Sequence, residues 1–478
     1  MGTKRFQDEK FNWYLSRNLF SSYYQELQPF LLKALRFSRL RLIKKNRILL
    51  LYIQLSMAKN LSGCYKAIQD GKKEIKRIKK KIHSEINEDK KVKLEQKLEG
   101  IQIRVFAHKN VVRIIKTIID GIVWRNLKFD RSILRLIASN RITGYIDINE
   151  PGFRGVLNIA KSIVWHRKSV VIINDISNFL RVGDLTEISK LGILIHESKA
   201  KGRRVRNIFS LLQDIKKTSK MSKQSERLLK AQIAISHRKI FIDNDQTVKI
   251  RDLKVPFKNY LNDVKKIILK AKREGFCSKK ISDYLVVSCQ DLIQSIKLKR
   301  NGKIKDWTDF KTAEDWEKKD FILPFTNTDS FYKNEDFFIP NMTPYSIFPF
   351  ASKICSELLS GRLILTARLN ISKVYGYFEE NGWGVDGTSV DEFVKRGQKV
   401  ESLYPDIYEA YHYDETLCVL NRGRFNLSIP ATLIFRIGMD FMAAATILLE
   451  AEEVFKQAVP FKDEMSAINI LGERKTWK

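Results

Sequence analysis

The chain has 478 residues, which is long enough for two or three domains with ample cores. Of these residues 44% are hydrophobic, which excludes a disordered protein. Lysine and arginine number 87 against 54 aspartates and glutamates, giving a formal net charge of +33. Such an excess opposes compaction unless a polyanion partner or spatial separation of the charges relieves the repulsion. Nucleic acid is therefore the first expected partner and an anionic membrane surface the second, against the alternative of a generally basic background.

The cysteines and the N-terminal residues indicate in which cellular compartment the protein is expected. The five cysteines are scattered, odd in number and contain no C-x-x-C pair, which argues against a disulfide framework and a structural zinc site. Residues 1–10 contain no apolar core of the kind found in a signal peptide. We therefore expect a cytoplasmic protein in a reducing environment.

Residues 1–110 are predicted to form a basic helical region. Charge is dense over 66–99, and Ile75, Ile78 and Ile82 form a narrow apolar stripe at spacings of three and four residues. This pattern predicts a long exposed helix or a helical hairpin. Its charged side is either an ordinary solvated face or a phosphate-binding surface.

Residues 111–250 change from helical periodicity to short apolar runs typical of strands. Helices are predicted over 111–124 and 153–165. Strands are predicted at 169–175, 180–188, 192–198 and 239–243, the third being reached through a turn at Lys190-Leu191-Gly192.

The remaining chain is divided into a helical connector over 251–305 and a C-terminal α+β module over 306–478, rich in proline and aromatic residues. The module is expected to bind a substrate or a protein partner. Its apolar segment 431–449 contains Arg436 and Asp440, which are costly in lipid, so a buried helix is favoured over a membrane helix.

The candidate chemistry lies in the strand–turn–strand unit. Asp184 and Glu197 are 13 residues apart, and a hairpin between them lets both acids approach one point. Two carboxylates can hold Mg²⁺ or Mn²⁺, and the metal activates water and neutralises charge on a phosphate. Lys199 follows Glu197 by two residues, on the same side of a strand, where it can orient water or stabilise the transition state.

This arrangement resembles the PD-(D/E)XK superfamily of nucleases, over about residues 150–245. The resemblance implies a restriction-endonuclease-like α/β core with a mixed sheet, in the order helix, three strands, helix, strand. It implies Asp184 and Glu197 as metal ligands and Lys199 as the catalytic lysine. Gly183 stands where the family motif has proline.

Two points qualify the resemblance: the source of a further acidic residue and the frequency of the Glu-x-Lys tripeptide in this chain. The family often adds an acid from the preceding helix, but 153–168 contains none, which leaves Asp120, Asp130, Glu150 and Asp175 as candidates. Glu-x-Lys also occurs elsewhere in this chain, always in polar runs, so the strand context carries the assignment rather than the tripeptide.

Arg203, Arg204 and Arg206 follow the candidate site, and guanidinium groups suit phosphates. We therefore expect them to contact nucleic acid, unless they are simply solvated. Some nucleases of this class use a polar residue on the helix that follows, where this chain has Gln213, Gln224 and Gln232. Glutamine is also common on ordinary helix faces.

Together, these patterns predict an α/β (α+β) protein that acts as a metal-dependent endonuclease on DNA, in restriction or antiphage defence by family inference. The alternative is a non-catalytic nucleic-acid-binding or scaffold protein of a defence complex, in which the basic helices at 32–47 and 71–93 bind the polyanion. A third hypothesis is a peripheral membrane or toxin-like protein that uses 431–449.

Overall fold

The structure is a computed structural model. It describes residues 22–38, 46–127, 134, 146–177, 180, 183–189, 192–199, 204–206, 232, 239–241, 247–249, 255–303, 320–327, 343–389, 392 and 416–458. For several of these, including 198–199, 204–206, 239–241 and 247–249, the description is of the backbone alone.

Three helices form the N-terminal part: α1 (Ser22–Ser38), α2 (Arg47–Ser84) and α3 (Glu88–Asn126). Helices α2 and α3 pack against each other as a long antiparallel hairpin. The short turn between them ends at Asn87, whose side chain accepts a hydrogen bond from the Lys90 amide at 3.1 Å and so caps α3. The helical hairpin expected from the isoleucine stripe is thus present.

The first sheet follows helix α4 (Pro151–Ser162) and a π-helical turn at Ile163–Arg167. Its strands lie in the order β1-β2-β3-β4, and every neighbouring pair is antiparallel. Helix α4 contacts β1 and β3, and α2 contacts β1. The strands are β1 (Val170–Ile173), β2 (Leu185–Ser189), β3 (Gly192–Lys199) and β4 (Arg204–Arg206).

Two buried glutamines bind the open edges of this sheet. Gln54 of α2 donates to the Val171 carbonyl at 2.8 Å and accepts from the Ile173 amide at 2.9 Å, along the free edge of β1. Gln232 makes the equivalent pair of bonds along β3, with the carbonyl of residue 193 and the amide of residue 195, at 2.7 and 3.0 Å. Each side-chain amide replaces one peptide group of a missing strand, which satisfies backbone groups that would otherwise be buried without partners.

The strand predicted at 239–243 is present as β5 (Lys239–Phe241), but it does not join the first sheet. It pairs with β6 (Thr247–Lys249) in a separate two-stranded sheet. All strand pairings of the described residues are antiparallel, so the mixed sheet that we predicted is not what they form.

The C-terminal part contains two further antiparallel sheets, a four-stranded one in the order β7-β8-β10-β9 and a three-stranded one in the order β11-β12-β13. The strands are β7 (Phe276–Ser282), β8 (Leu285–Asp291), β9 (Ile322–Thr326), β10 (Leu363–Asn370), β11 (Gly384–Gly387), β12 (Thr416–Arg422) and β13 (Phe425–Pro430). The helices are α5 (Leu261–Glu274), α6 (Leu292–Arg300), α7 (Ser352–Ser360), α8 (Ile371–Glu380), α9 (Ala431–Met439) and α10 (Ala444–Ala458).

The helical connector predicted over 251–305 needs correction, because the β7–β8 hairpin lies between its helices α5 and α6 and belongs to the four-stranded sheet. Segment 431–449 is buried as expected, but it forms parts of two helices with a break at Asp440–Ala443. In the described part of the chain, no helix has the length and apolar character needed to cross a bilayer. The fold is α+β, and one apolar core extends from α1 to α10.

Candidate functional site

The loop before β2 holds Asp184 against the end of β3. The Asp184 amide donates to the His196 carbonyl at 2.8 Å, and the Asp184 carbonyl accepts from the Asn174 amide at 2.9 Å. Asn174 is itself fixed, since its side chain donates to the Gly183 carbonyl at 3.1 Å and accepts from Thr186 Oγ1 at 2.9 Å. Asp184 lies just before β2, not within the strand that we predicted over 180–188.

Gly183, before Asp184, adopts a backbone conformation that proline cannot adopt. Its φ is +69°, which lies in the left-handed region. A Cβ built at this position would lie 2.5 Å from Ile195 Cγ2 and 2.7 Å from the His196 carbonyl oxygen. Glycine therefore permits both the turn and the close approach of this loop to β3.

Glu197 lies near the end of β3, and the carboxylate is carried on a buried side chain with 5% of the residue exposed. Its Oε2 atom is buried and has no hydrogen-bond partner among the residues that the structure describes. Burying a polar atom without a hydrogen-bond partner lowers the stability of the fold by about 1–3 kcal/mol. A ligand that binds this oxygen would explain why the cost is tolerated. The Asp184 amide binds the carbonyl of His196, the residue before Glu197. Asp184 and Glu197 therefore lie at the same end of the β2–β3 hairpin.

The basic residues predicted for this site are described only in part. Lys199 ends β3 opposite Arg204 of β4, and Glu197 pairs with Arg206 in the same register. The side chains of Lys199, Arg204 and Arg206 lie outside the described residues, as does Arg203 entirely. The backbone thus brings Arg204 and Arg206 alongside the Glu197 end of β3.

A second charged group lies on the other face of the same hairpin. His196 Nε2 is 2.8 Å from Glu187 Oε2, and Arg167 approaches the same oxygen at 3.1 Å. Burial alone raises the pKa of Glu187, but hydrogen bonds from His196 and Ser169 and the charges of His196 and Arg167 outweigh it and lower that pKa from its ordinary value. Because neighbouring residues of a strand point to opposite faces, His196 faces away from Glu197, and on that face it binds Glu187.

The described candidates for an additional acid, Asp120, Glu150 and Asp175, do not complete a metal site. Asp120 of α3 is buried and accepts from Ser177 Oγ at 3.0 Å, which anchors the loop leading to Asp184. Glu150 is exposed at the start of α4, Asp175 lies in the turn after β1, and Asp130 is outside the described residues. The described residues contain no group of three or more His, Cys, Asp or Glu side chains suited to a metal ion.

Several of these residues had no signal in the sequence. Gln54 is 117 residues from the carbonyl that it binds, and Arg167 lies in a short basic turn with no motif. Glu187 is two residues beyond Leu185 on β2, and strand alternation alone could have placed it on the face of His196. Gln232 was considered only as a polar residue near the site, whereas it binds the β3 edge; Gln213 and Gln224 lie outside the described residues.

Comparison with known proteins gave no match of any kind: no family model, no curated protein and no solved structure is similar to this chain.

Proposed function

We propose that this protein is a Mg²⁺- or Mn²⁺-dependent nuclease that hydrolyses phosphodiester bonds of DNA. The observation that carries the proposal is the backbone contact of Asp184 with the Glu197 end of β3, where Glu197 Oε2 has no hydrogen-bond partner among the described residues. The order of one helix and three antiparallel strands over 151–199 also supports the first half of the PD-(D/E)XK order, whereas the later strand β5 lies in a separate sheet. The net charge of +33 suits a polyanionic substrate.

The fit to a metal ion rests on the donor set. Oxygen donors are what Mg²⁺ prefers, and it keeps several waters, so two carboxylates are a sufficient protein contribution. Asp184 and Glu197 would hold the ion, and a carboxyl oxygen buried without a partner is the kind of donor that such an ion satisfies. When bound, the metal supplies a lowered pKa for a water molecule and charge neutralisation at the phosphate.

The other residues of the proposed mechanism act on the substrate. Lys199 orients the attacking water or stabilises charge on the phosphate as the bond breaks. Arg203, Arg204 and Arg206 hold the phosphates of the strand being cut, since guanidinium groups form paired hydrogen bonds with them. A role in restriction or antiphage defence, with the C-terminal module engaging a protein partner, is proposed on the resemblance alone.

Cleavage of supercoiled plasmid in the presence of Mg²⁺ tests this function. Asp184→Asn, Glu197→Gln and Lys199→Ala should each lower the cleavage rate about 100-fold or more, as loss of a metal ligand or a charge-stabilising group does. Glu187→Gln is the matched control, because it makes the same chemical change on the opposite face of the same hairpin. This control should cut at close to the wild-type rate when both proteins are assayed well below their unfolding temperatures.

A second measurement is independent of turnover. Mg²⁺ should raise the thermal unfolding midpoint of the wild-type protein and leave that of Glu197→Gln unchanged, since a ligand stabilises only the form that binds it. Unchanged plasmid cleavage by both Asp184→Asn and Glu197→Gln would contradict the proposal. DNA binding without any cleavage by the wild-type protein would favour the non-catalytic binding or scaffold protein instead.

A further inference from the structure

The outer end of the α2–α3 hairpin, residues 68–105, extends beyond the main core, and we call it the arm. Its apolar contacts form a separate small cluster of buried and partly buried residues: Ile68, Ile75, Ile78, Ile82, Leu94, Leu98, Ile101 and Val105. From Ile68 to Ser84, helix α2 rises about 24 Å at 1.5 Å per residue. The arm is thus a narrow two-helix projection with a large surface for its volume.

The two helices of the arm differ sharply in charge. Over 72–81 of α2, seven of the ten residues are lysine or arginine and one, Glu74, is acidic. Over 88–99 of α3, four lysines are balanced by four acids. Glu74 lies 3.7 Å from Arg77 and 3.5 Å from Lys97, so the one acid of the α2 segment is shared between both helices.

The positively charged surface of α2 is destabilised by repulsion between its side chains, whereas the mixed charges of α3 largely cancel. Four like-charged pairs stand four residues apart on α2, namely 72 with 76, 73 with 77, 76 with 80 and 77 with 81. Each such pair destabilises a helix by about 0.2–0.5 kcal/mol. The side chains of Lys76, Lys79 and Lys80 are exposed, so burial does not explain this pattern, whereas a bound polyanion would relieve the repulsion.

We propose that the outer surface of α2 over 72–81 binds the phosphate backbone of duplex DNA without reading its sequence. The segment is about 14 Å long, and a duplex presents about eight phosphate charges over that length, against seven cations here. Lysines on a regular helix act as point charges toward phosphates, which gives affinity and salt dependence but no base recognition. The inference rests on the proposed function only for its choice of DNA as the polyanion.

Binding is tested on the full chain in EDTA, so that no metal-dependent cleavage occurs, with a fluorescent 30-base-pair duplex and anisotropy over a series of NaCl concentrations. The arm variant Lys76→Gln/Lys79→Gln/Lys80→Gln should bind about tenfold more weakly at low salt. The slope of log K against log [NaCl] should become shallower by about 2–3, at about 0.9 per lost phosphate contact.

Two matched variants isolate the arm. Lys265→Gln/Lys266→Gln/Lys270→Gln removes the same charge from exposed positions of α5 and should bind like the wild-type protein. Lys76→Arg/Lys79→Arg/Lys80→Arg keeps the charge and should also bind normally. The arm variant should be no less thermally stable than the wild-type protein, because it removes like-charge repulsion from an exposed surface.

Equal loss of binding in the α5 variant, or no loss in the arm variant, would overturn the inference. Stronger arm-dependent binding to vesicles of phosphatidylcholine and phosphatidylserine, or to single-stranded RNA, than to duplex DNA would also overturn it. The outcome is separable from the proposed nuclease. Arm-dependent binding by a wild-type protein that never cuts DNA would remove the nuclease proposal alone, and Mg²⁺-dependent cleavage by a protein whose DNA binding does not depend on the arm would remove this inference alone.

Discussion

Two regions of the molecule bury acidic side chains, and they treat them differently. In the C-terminal part, Glu357 contacts both Lys272 and Arg362, and Arg362 also contacts the buried Asp291 at 3.2 Å. At the end of the β2–β3 hairpin, Glu197 is equally buried, yet its Oε2 has no hydrogen-bond partner in the part of the chain that the structure describes. Burial of an acid therefore does not mark a functional site. Glu357 Oε1 lacks a hydrogen bond too, but the Arg362 guanidinium lies 3.1 Å from it. Glu197 differs from Glu357 in that none of the described side chains forms an ion pair with it.

The same contrast exists within the hairpin itself. Glu187, on the face opposite Glu197, has His196, Arg167 and Ser169 as partners. The same change, from glutamate to glutamine, can be made at Glu357, Glu187 and Glu197. Only the surroundings of the side chain differ, so the three changes in unfolding free energy can be compared directly.

The largest effect is expected at Glu357. Glu357→Gln removes the anion shared by Lys272 and Arg362 and leaves two partly buried cations without it. Breaking a buried pair in this way costs about 3 kcal/mol, near the lower end of the usual range because both cations are partly exposed. Urea unfolding of the variant and the wild-type protein measures the loss. A loss below about 1 kcal/mol would show that the cluster is not a structural ion network.

An intermediate effect that depends on pH is expected at Glu187. Glu187→Gln should lower the free energy of unfolding by about 2 kcal/mol at neutral pH, through loss of charge-assisted bonds to His196 and Ser169. The pKa of Glu187 is lowered in the folded state, so its contribution is present above the ordinary glutamate pKa and is lost as the pH falls through the lowered folded-state value.

Unfolding curves of both proteins between pH 7 and pH 3 test this sign. The stability difference between wild type and Glu187→Gln should shrink as the solution becomes more acidic. A difference that stays constant or grows toward low pH would mean that the carboxylate is not what these partners stabilise.

The smallest effect, of opposite sign, is expected at Glu197. In EDTA, Glu197→Gln should be as stable as the wild-type protein or up to about 1 kcal/mol more stable, since it replaces a buried carboxylate whose Oε2 is unsatisfied. The same urea experiment measures it. A loss as large as that of Glu187→Gln would remove the distinction between the two faces and with it the argument for a ligand at Glu197.

The part of the site that could be predicted from sequence is the part encoded locally. The turn predicted at Lys190-Leu191-Gly192 and the apolar run that follows it indicate a hairpin, and the strand predicted at 192–198 is confirmed by β3 at Gly192–Lys199. The approach of Asp184 to that strand follows from the same short segment. Antiparallel pairing over so few residues leaves little freedom in register.

What escaped prediction depends on distant contacts or on patterns that local periodicity cannot resolve. The edge contact of Gln54 joins α2 to a strand 117 residues away. Strand β8 is buried at all seven positions, so it shows no alternation, and Lys279 and Lys280 gave its partner β7 the composition of a basic helix. Both errors arise where tertiary burial, not local pattern, decides the structure.

Helix α2 runs without interruption from the sheet edge to the outer end of the arm. Gln54 fastens it to β1, and Lys76 stands 22 residues further on, about 33 Å along the axis, close to one turn of B-form DNA. Under the two proposals made above, the helix would be a spacer of fixed length between the sheet that carries Glu197 and the surface proposed to bind the duplex. In such an arrangement, the offset between the gripped and the cleaved segments of DNA is set by a count of residues in one helix.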